Sequence, residues 1–88
     1  MIEITKQQAI SDLKEMFGVD SDINARGSFC NDGKFFIRKD DIMRIDVIAR
    51  LNDYFKDKYI KEGQCRIESI TLVYTVFHIE DRTSQLNG

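Results

Sequence analysis

The stretch that decides the predicted fold is residues 66–80, RIESITLVYTVFHIE, the longest strand-like segment of the chain. Side chains alternate between the two faces of a strand, and here both faces are largely apolar. One face would carry Ile67, Val73, Phe77 and Ile79, and the other Ile70, Leu72, Tyr74 and Val76. This pattern predicts a strand that is covered on both sides.

The length of this strand is itself a constraint. About 14 residues would extend roughly 46 Å, whereas a domain of this size is only about 31 Å across. We therefore expect the strand either to bend at a bulge, at Ser69 or Thr75, or to project beyond its sheet.

A β-hairpin is predicted earlier in the chain. Residues 23–29 alternate apolar and polar side chains, and the return strand runs over residues 34–38. Between them lies Asn31-Asp32-Gly33, whose residue types tolerate a positive φ at low cost and favour tight turns.

Two helices complete the predicted elements. The first spans residues 6–17, with Thr5 as its N-cap and Gly18 as its stop. The second begins at Asp40 or Asp41 and runs to about residue 61. Its apolar side chains cover an arc of about 220°, wider than the ~100° stripe that a surface helix needs.

The order of these elements, α-β-β-α-β, predicts an α+β fold. We expect a small antiparallel three-stranded sheet with two helices packed on one face. Residues 1–82 would form a single domain and residues 83–88 a flexible tail. The second face of the sheet would be exposed, so apolar side chains would exceed what one small core can cover.

The composition of the chain narrows the classes of function that it can have. The 88 residues carry 13 basic and 15 acidic side chains, a net charge of -2, and nucleic-acid-binding domains usually show a basic excess. The two cysteines, Cys30 and Cys65, have no CxxC spacing. Without a leader pattern or an apolar run of ~18 residues, we expect a cytoplasmic protein with reduced thiols.

No motif predicts catalysis, a cofactor or a metal. Residues 20–24 resemble the start of a calcium loop, but Ala25 stands where glycine is needed and Asn31 where glutamate is needed. His78 is the only histidine; it shares a strand side with Glu80, and no spacing supplies further ligands or a catalytic partner. We therefore expect that the protein is not an enzyme.

The predicted apolar excess favours a non-enzymatic protein–protein interaction module. Its partner would be a larger target protein or a second copy of the chain. Short single-domain proteins without recognisable motifs are common among phage or mobile-element regulators that inhibit a host protein by occlusion. The comparison is an analogy of size and style and rests on no matching residue. Aromatic anchors dominate interfaces, and the predicted binding residues are Phe36, Tyr54, Tyr59, Tyr74 and His78.

Nucleic-acid binding through the hairpin is the alternative. Aromatic side chains interleaved with cations on a sheet can stack bases and contact phosphates. The residues predicted for this role are Arg26, Phe29, Lys34, Phe35, Arg38 and Lys39.

Overall fold

The computed structural model describes residues 1–19, 27–30, 33–68 and 71–81; for residues 27–30 it describes the backbone alone. Within these residues, two helices and six strands make a mixed α+β fold, which confirms the predicted class. Predicted tail residues 83–88 lie outside the described residues. The elements in chain order are β1 (Ile2–Ile4), α1 (Lys6–Phe17), β2 (Gly27–Cys30), β3 (Lys34–Arg38), α2 (Arg44–Phe55), β4 (Lys58–Ile60), β5 (Gly63–Ile67) and β6 (Tyr74–Asp81).

The antiparallel sheet has four described strands instead of the predicted three, in the order β2-β3-β6-β5. The single strand predicted over residues 66–80 is wrong, because the chain reverses and β5 pairs with β6, Ile67 opposite Phe77. A straight ~46 Å strand would exceed the longest extent of the molecule, 35 Å. Thr71 helps to hold the returning chain, since its hydroxyl accepts from the Tyr74 N–H at 2.8 Å.

Helix α1 matches its predicted span. The Thr5 side chain accepts a hydrogen bond from the Gln8 N–H at 3.1 Å, and Gly18 ends the helix with a φ of 65°. The next residue, Val19, donates its N–H to Lys14 at 2.9 Å and is buried. Local capping chemistry therefore sufficed to place both ends of this helix.

Helix α2 is shorter than predicted at both ends. It begins only after Met43, because the Ile42 N–H turns back to the Arg38 carbonyl. It ends at Phe55 because the following residues form β4, which pairs in parallel with β1. Pairing between these segments overrides the helical pattern, and it moves Tyr59 from the predicted helix into a strand.

Both helices pack on one face of the sheet. Phe35 and Phe77 sit opposite each other on β3 and β6 and stack with ring centres 4.6 Å apart. Phe17 of α1 approaches Phe77 at 5.5 Å, and Arg50 of α2 lies 5.8 Å from the Phe17 ring. Buried residues of both helices join these rings in one cluster: Ala9, Leu13, Phe17, Val47, Leu51 and Tyr54.

The β2–β3 turn confirms the need for glycine at position 33. Gly33 has a φ of 99°, and a Cβ there would collide with the carbonyl oxygen of Ile79. This close approach lets the Ile79 N–H donate to the Gly33 carbonyl at 2.9 Å. The turn residues Asn31 and Asp32 lie outside the described residues.

A polar contact joins the two helices. The Tyr54 hydroxyl donates to the Asp12 carboxylate at 2.5 Å, and the other oxygen of that carboxylate accepts from the Gln8 side chain at 2.8 Å. Burial, followed by this hydrogen bond and the Asp12 charge, raises the pKa of Tyr54. Tyr54 therefore acts as a neutral link between α2 and α1.

Tyr54→Phe should lower the free energy of unfolding by about 1.5 kcal/mol, because it removes a hydrogen bond to a charged group. Urea denaturation followed by circular dichroism measures the change. Tyr59→Phe is the matched control, since the Tyr59 hydroxyl bonds Glu3 at the surface; its effect should stay within about 0.5 kcal/mol. Equal effects for the two variants would contradict the linking role of Tyr54.

Candidate functional site

The face of the antiparallel sheet opposite the helices, called here the open face, collects polar and aromatic side chains. Alternation along each strand puts them there, because the neighbouring residues point into the helix-covered core. The described members of this face are Lys34, Phe36, Arg38, Gln64, Arg66, Glu68, Tyr74, Val76, His78 and Glu80.

Long charged side chains cover the middle of the open face. Lys34 of β3 reaches across β6 to Glu68, with 3.6 Å between Nζ and Oε1, and Arg66 of β5 approaches the same oxygen at 3.2 Å. Val76 lies on the central strand between Phe36 of β3 and Glu68, and it is only 5% exposed. The expectation of an exposed apolar face is therefore wrong at Val76, because charged side chains lay their stems over apolar neighbours.

His78 lies at the centre of this charged group. Its cross-strand partners are Lys34 on β3 and Arg66 on β5. The imidazole Nδ1 is 3.5 Å from Glu80 and 3.9 Å from Glu68. The side chain is 15% exposed, so the strands gather an imidazole, two carboxylates and two cations that are scattered along the sequence.

Arg66 and Gln64 control the charge of Glu80. The Arg66 Nε donates to the Glu80 carboxylate at 2.9 Å, and the Gln64 amide donates at 3.0 Å. These two hydrogen bonds, that of Arg66 first, lower the pKa of Glu80 to about 2. Glu80 therefore remains an anion at any ordinary pH.

The five predicted binding residues lie in three different places. Phe36 and Tyr74 meet on the open face edge to face, with ring centres 6.0 Å apart and both half-buried, and His78 lies on the same face. Tyr54 is 7% exposed and belongs to the core, so it has little surface for a partner. Tyr59 is 40% exposed but lies on β4, outside the antiparallel sheet.

The described cations of the nucleic-acid alternative are each engaged by another group. Phe35 is fully buried, and Lys34 pairs with Glu68. Arg38 lies 3.6 Å from Asp40, and the Lys39 ammonium donates to the Thr71 carbonyl. Arg26 and the side chain of Phe29 lie outside the described residues.

One end of the molecule carries exposed aliphatic side chains that the sequence interpretation did not single out. Leu72 and Val73 lie in the β5–β6 connection, and Met43 and Ile45 lie at the start of α2. The Lys39 N–H donates to the Val73 carbonyl at 2.9 Å, so the β3–α2 and β5–β6 connections meet here. We call these four residues the apolar end; they are 97%, 52%, 62% and 70% exposed, respectively.

The sequence did not indicate the apolar end because it predicts residues 71–73 as strand and places Met43 near the start of the second helix. The signal available in the sequence was the excessive length of the predicted strand. A strand too long for the domain implies a reversal, and Leu72 and Val73 would then stand in a turn, where apolar side chains are exposed.

A cleft of about 340 Å³ lies between α2 and the β4–β5 segment. Its lining is mainly apolar and includes Leu51, Phe55, Ile60 and Cys65. Burial raises the pKa of the Cys65 thiol to about 12, so it stays protonated and is a poor nucleophile. Cys65 therefore acts as a small apolar lining residue.

Lowering the pH from about 4.5 to about 2 should remove the stability that Glu80 contributes. Its folded-state pKa lies below its ordinary value of 4.5, so the contribution is present above pH 4.5 and is lost as the pH falls through the folded value. Thermal unfolding should show Glu80→Gln less stable than the wild type at pH 6, with the difference shrinking towards pH 2. Glu62→Gln, at an exposed position, is the control; a pH-independent Glu80→Gln difference would contradict the assignment.

In the described part of the chain, no three His, Cys, Asp or Glu side chains are arranged to hold a metal ion. No helix among the described residues combines the length and apolar character needed to cross a membrane. Comparison with protein-family models, curated proteins and solved structures gives no match to this chain.

Proposed function

We propose that this domain is a protein–protein interaction module whose contact surface is the apolar end. The observation that carries the proposal is the exposure of four large aliphatic side chains on two segments that meet at one end of the sheet. Single exposed apolar residues are ordinary, whereas a group of them on adjoining segments is typical of an interaction site.

Burial of the four aliphatic side chains supplies only part of the binding energy that an interface needs. Burying an aliphatic side chain of this size is worth roughly 1.5–3 kcal/mol, so four give about 6–12 kcal/mol. Association costs roughly 4–15 kcal/mol in lost freedom. The apolar end therefore needs additional contacts, and the half-buried Phe36 and Tyr74 beside it supply aromatic area.

Hydrogen bonds hold the connection that presents Leu72. The Thr71 hydroxyl donates to the Tyr74 carbonyl at 2.6 Å and accepts from the Tyr74 N–H. Lys39 adds two further bonds, one to Val73 and one to Thr71. A surface held in place before binding loses less entropy on association, which supports its use as a contact.

The finer parts of the proposal rest on analogy. By analogy with phage or mobile-element regulators, we propose that the partner is a larger cytoplasmic protein, which the domain inhibits by occluding one of its surfaces. The alternative partner is a second copy of the chain, and the crosslinking experiment below distinguishes the two. Stable nucleic-acid binding through the hairpin gains no support from the paired Lys34, Arg38 and Lys39. The apolar end consists of aliphatic side chains, and we propose a non-enzymatic role for it.

A photocrosslinking amino acid at position 72 should capture the partner in the native host. We expect one discrete adduct, because Leu72 is the most exposed residue of the apolar end. A mass equal to two chains identifies self-association, and a larger mass identifies a different protein by mass spectrometry.

Position 53 on the outer side of α2 is the matched control, since Asp53 is also exposed and lies outside the apolar end. Met43→Asp should abolish the adduct formed from position 72 while leaving the circular dichroism spectrum unchanged. An adduct that forms equally from position 53, or that persists in Met43→Asp, would overturn the proposal.

A further inference from the structure

The charged group of the open face consists of residues from three strands and of Glu68, which directly follows β5, and their spacing in sequence gave no hint of a site. Lys34, His78 and Arg66 form one row across β3, β6 and β5. Glu68 and Glu80 flank that row within 4 Å of the imidazole. The sequence did not predict an enzyme because these side chains lie far apart along the chain. The strand register brings them together in the fold.

A carboxylate and an imidazole side by side are suited to proton transfer in both directions. One group can accept a proton from an attacking hydroxyl while the other gives a proton to the leaving oxygen. Glu80 has a different part, because Arg66 holds it as a permanent anion that faces the imidazole Nδ1 at 3.5 Å. Glu80 thus orients His78. Glu68 is paired through Oε1 with Arg66 and Lys34, and it is assigned as the base because a substrate phosphate that takes these two cations releases its carboxylate.

The two cations form the outer layer of the group. The side chains of Lys34 and Arg66 are 35% and 48% exposed, whereas those of His78, Glu68 and Glu80 are 15–21% exposed. An anionic substrate approaching the open face therefore meets the ammonium and guanidinium groups first. Phosphate is the anion that such a pair of donors suits, and developing negative charge would be stabilised there.

An aromatic platform adjoins the charged group. Phe36 lies opposite Val76, and the Glu68 N–H bonds the carbonyl of the same residue, so Phe36 and Glu68 flank one position of β6. Tyr74 packs against Phe36. Aromatic side chains on a sheet stack unpaired bases, so phosphate contacts and base contacts would lie on one face.

We propose that the open face cleaves single-stranded RNA by transesterification. The RNA supplies the nucleophile, because its 2′-hydroxyl attacks the adjacent phosphorus and the bond to the 5′-oxygen breaks. Glu68 takes the proton of the 2′-hydroxyl, His78 gives a proton to the departing 5′-oxygen, and Lys34 and Arg66 stabilise the phosphate. The products are a 2′,3′-cyclic phosphate and a 5′-hydroxyl, which balances every atom and proton without a further reactant.

This activity goes beyond the proposed interaction module and does not depend on it. Lys34 and Arg66 are paired with carboxylates, and the net charge is -2, so the face favours brief encounters with RNA over a stable complex. Turnover, and not a gel shift, is therefore the informative measurement.

The experiment incubates the purified full chain with a fluorescent single-stranded RNA oligonucleotide in EDTA and resolves the products by mass spectrometry. Wild-type protein should release fragments ending in a 2′,3′-cyclic phosphate. Glu68→Gln and His78→Gln should each lower the cleavage rate by about 100-fold, the contribution typical of a general acid or base. Asp53→Asn, an exposed ion-paired carboxylate on α2, should leave the rate unchanged.

A second arm uses the wild-type protein alone, so that it is independent of any folding defect in a variant. An oligonucleotide with 2′-deoxyribose at every position should remain intact, because the nucleophile is missing. Cleavage of that substrate, equal rates for the wild type and His78→Gln, or no cleavage of RNA by the wild type would each overturn the proposal. The photocrosslinking result at position 72 is unaffected by any of these outcomes.

Discussion

The register of β6 between β3 and β5 is the constraint on which the rest of the structure depends. Phe77 stands opposite Phe35 on one side and Ile67 on the other, so a shift of β6 by one residue would separate Phe77 from both partners and turn it to the opposite face of the sheet. Stacking of Phe77 on Phe35 and its contact with Phe17 give this register a large apolar stabilisation. The helices then have one face on which to pack.

The same register also determines which side chains lie on the open face. With Phe77 directed into the core, His78 must point away from it, between the cations of the neighbouring strands. The central strand is apolar at Val76 on this side as well, and Val76 is buried there between its cross-strand neighbours Phe36 and Glu68. An 88-residue chain thus buries a two-sided strand with two helices and a few long polar side chains.

Local signals in the sequence were enough for some elements and not for others. Helix α1 could be predicted to the residue because Thr5 and Gly18 act on their immediate neighbours. The end of α2 could not, because residues 58–60 leave the helix to pair with β1, a partner more than fifty residues away. The separation of β5 from β6 was indicated only by strand length.

Of the candidate site, the shared side of His78 and Glu80 followed from strand alternation. Lys34, Arg66 and Glu68 lie beside them because of a strand order that the sequence did not reveal.

The parallel pairing of β1 with β4 has a consequence for how the chain folds. Glu3 and Tyr59 are 56 positions apart, so this contact closes a loop that contains both helices and the first hairpin. Closing so large a loop is entropically costly until the enclosed segments are compact. The two short strands should therefore join late, after the hairpins have condensed around Phe77, and the open N-terminal segment should persist as the last unpaired part of the folding chain.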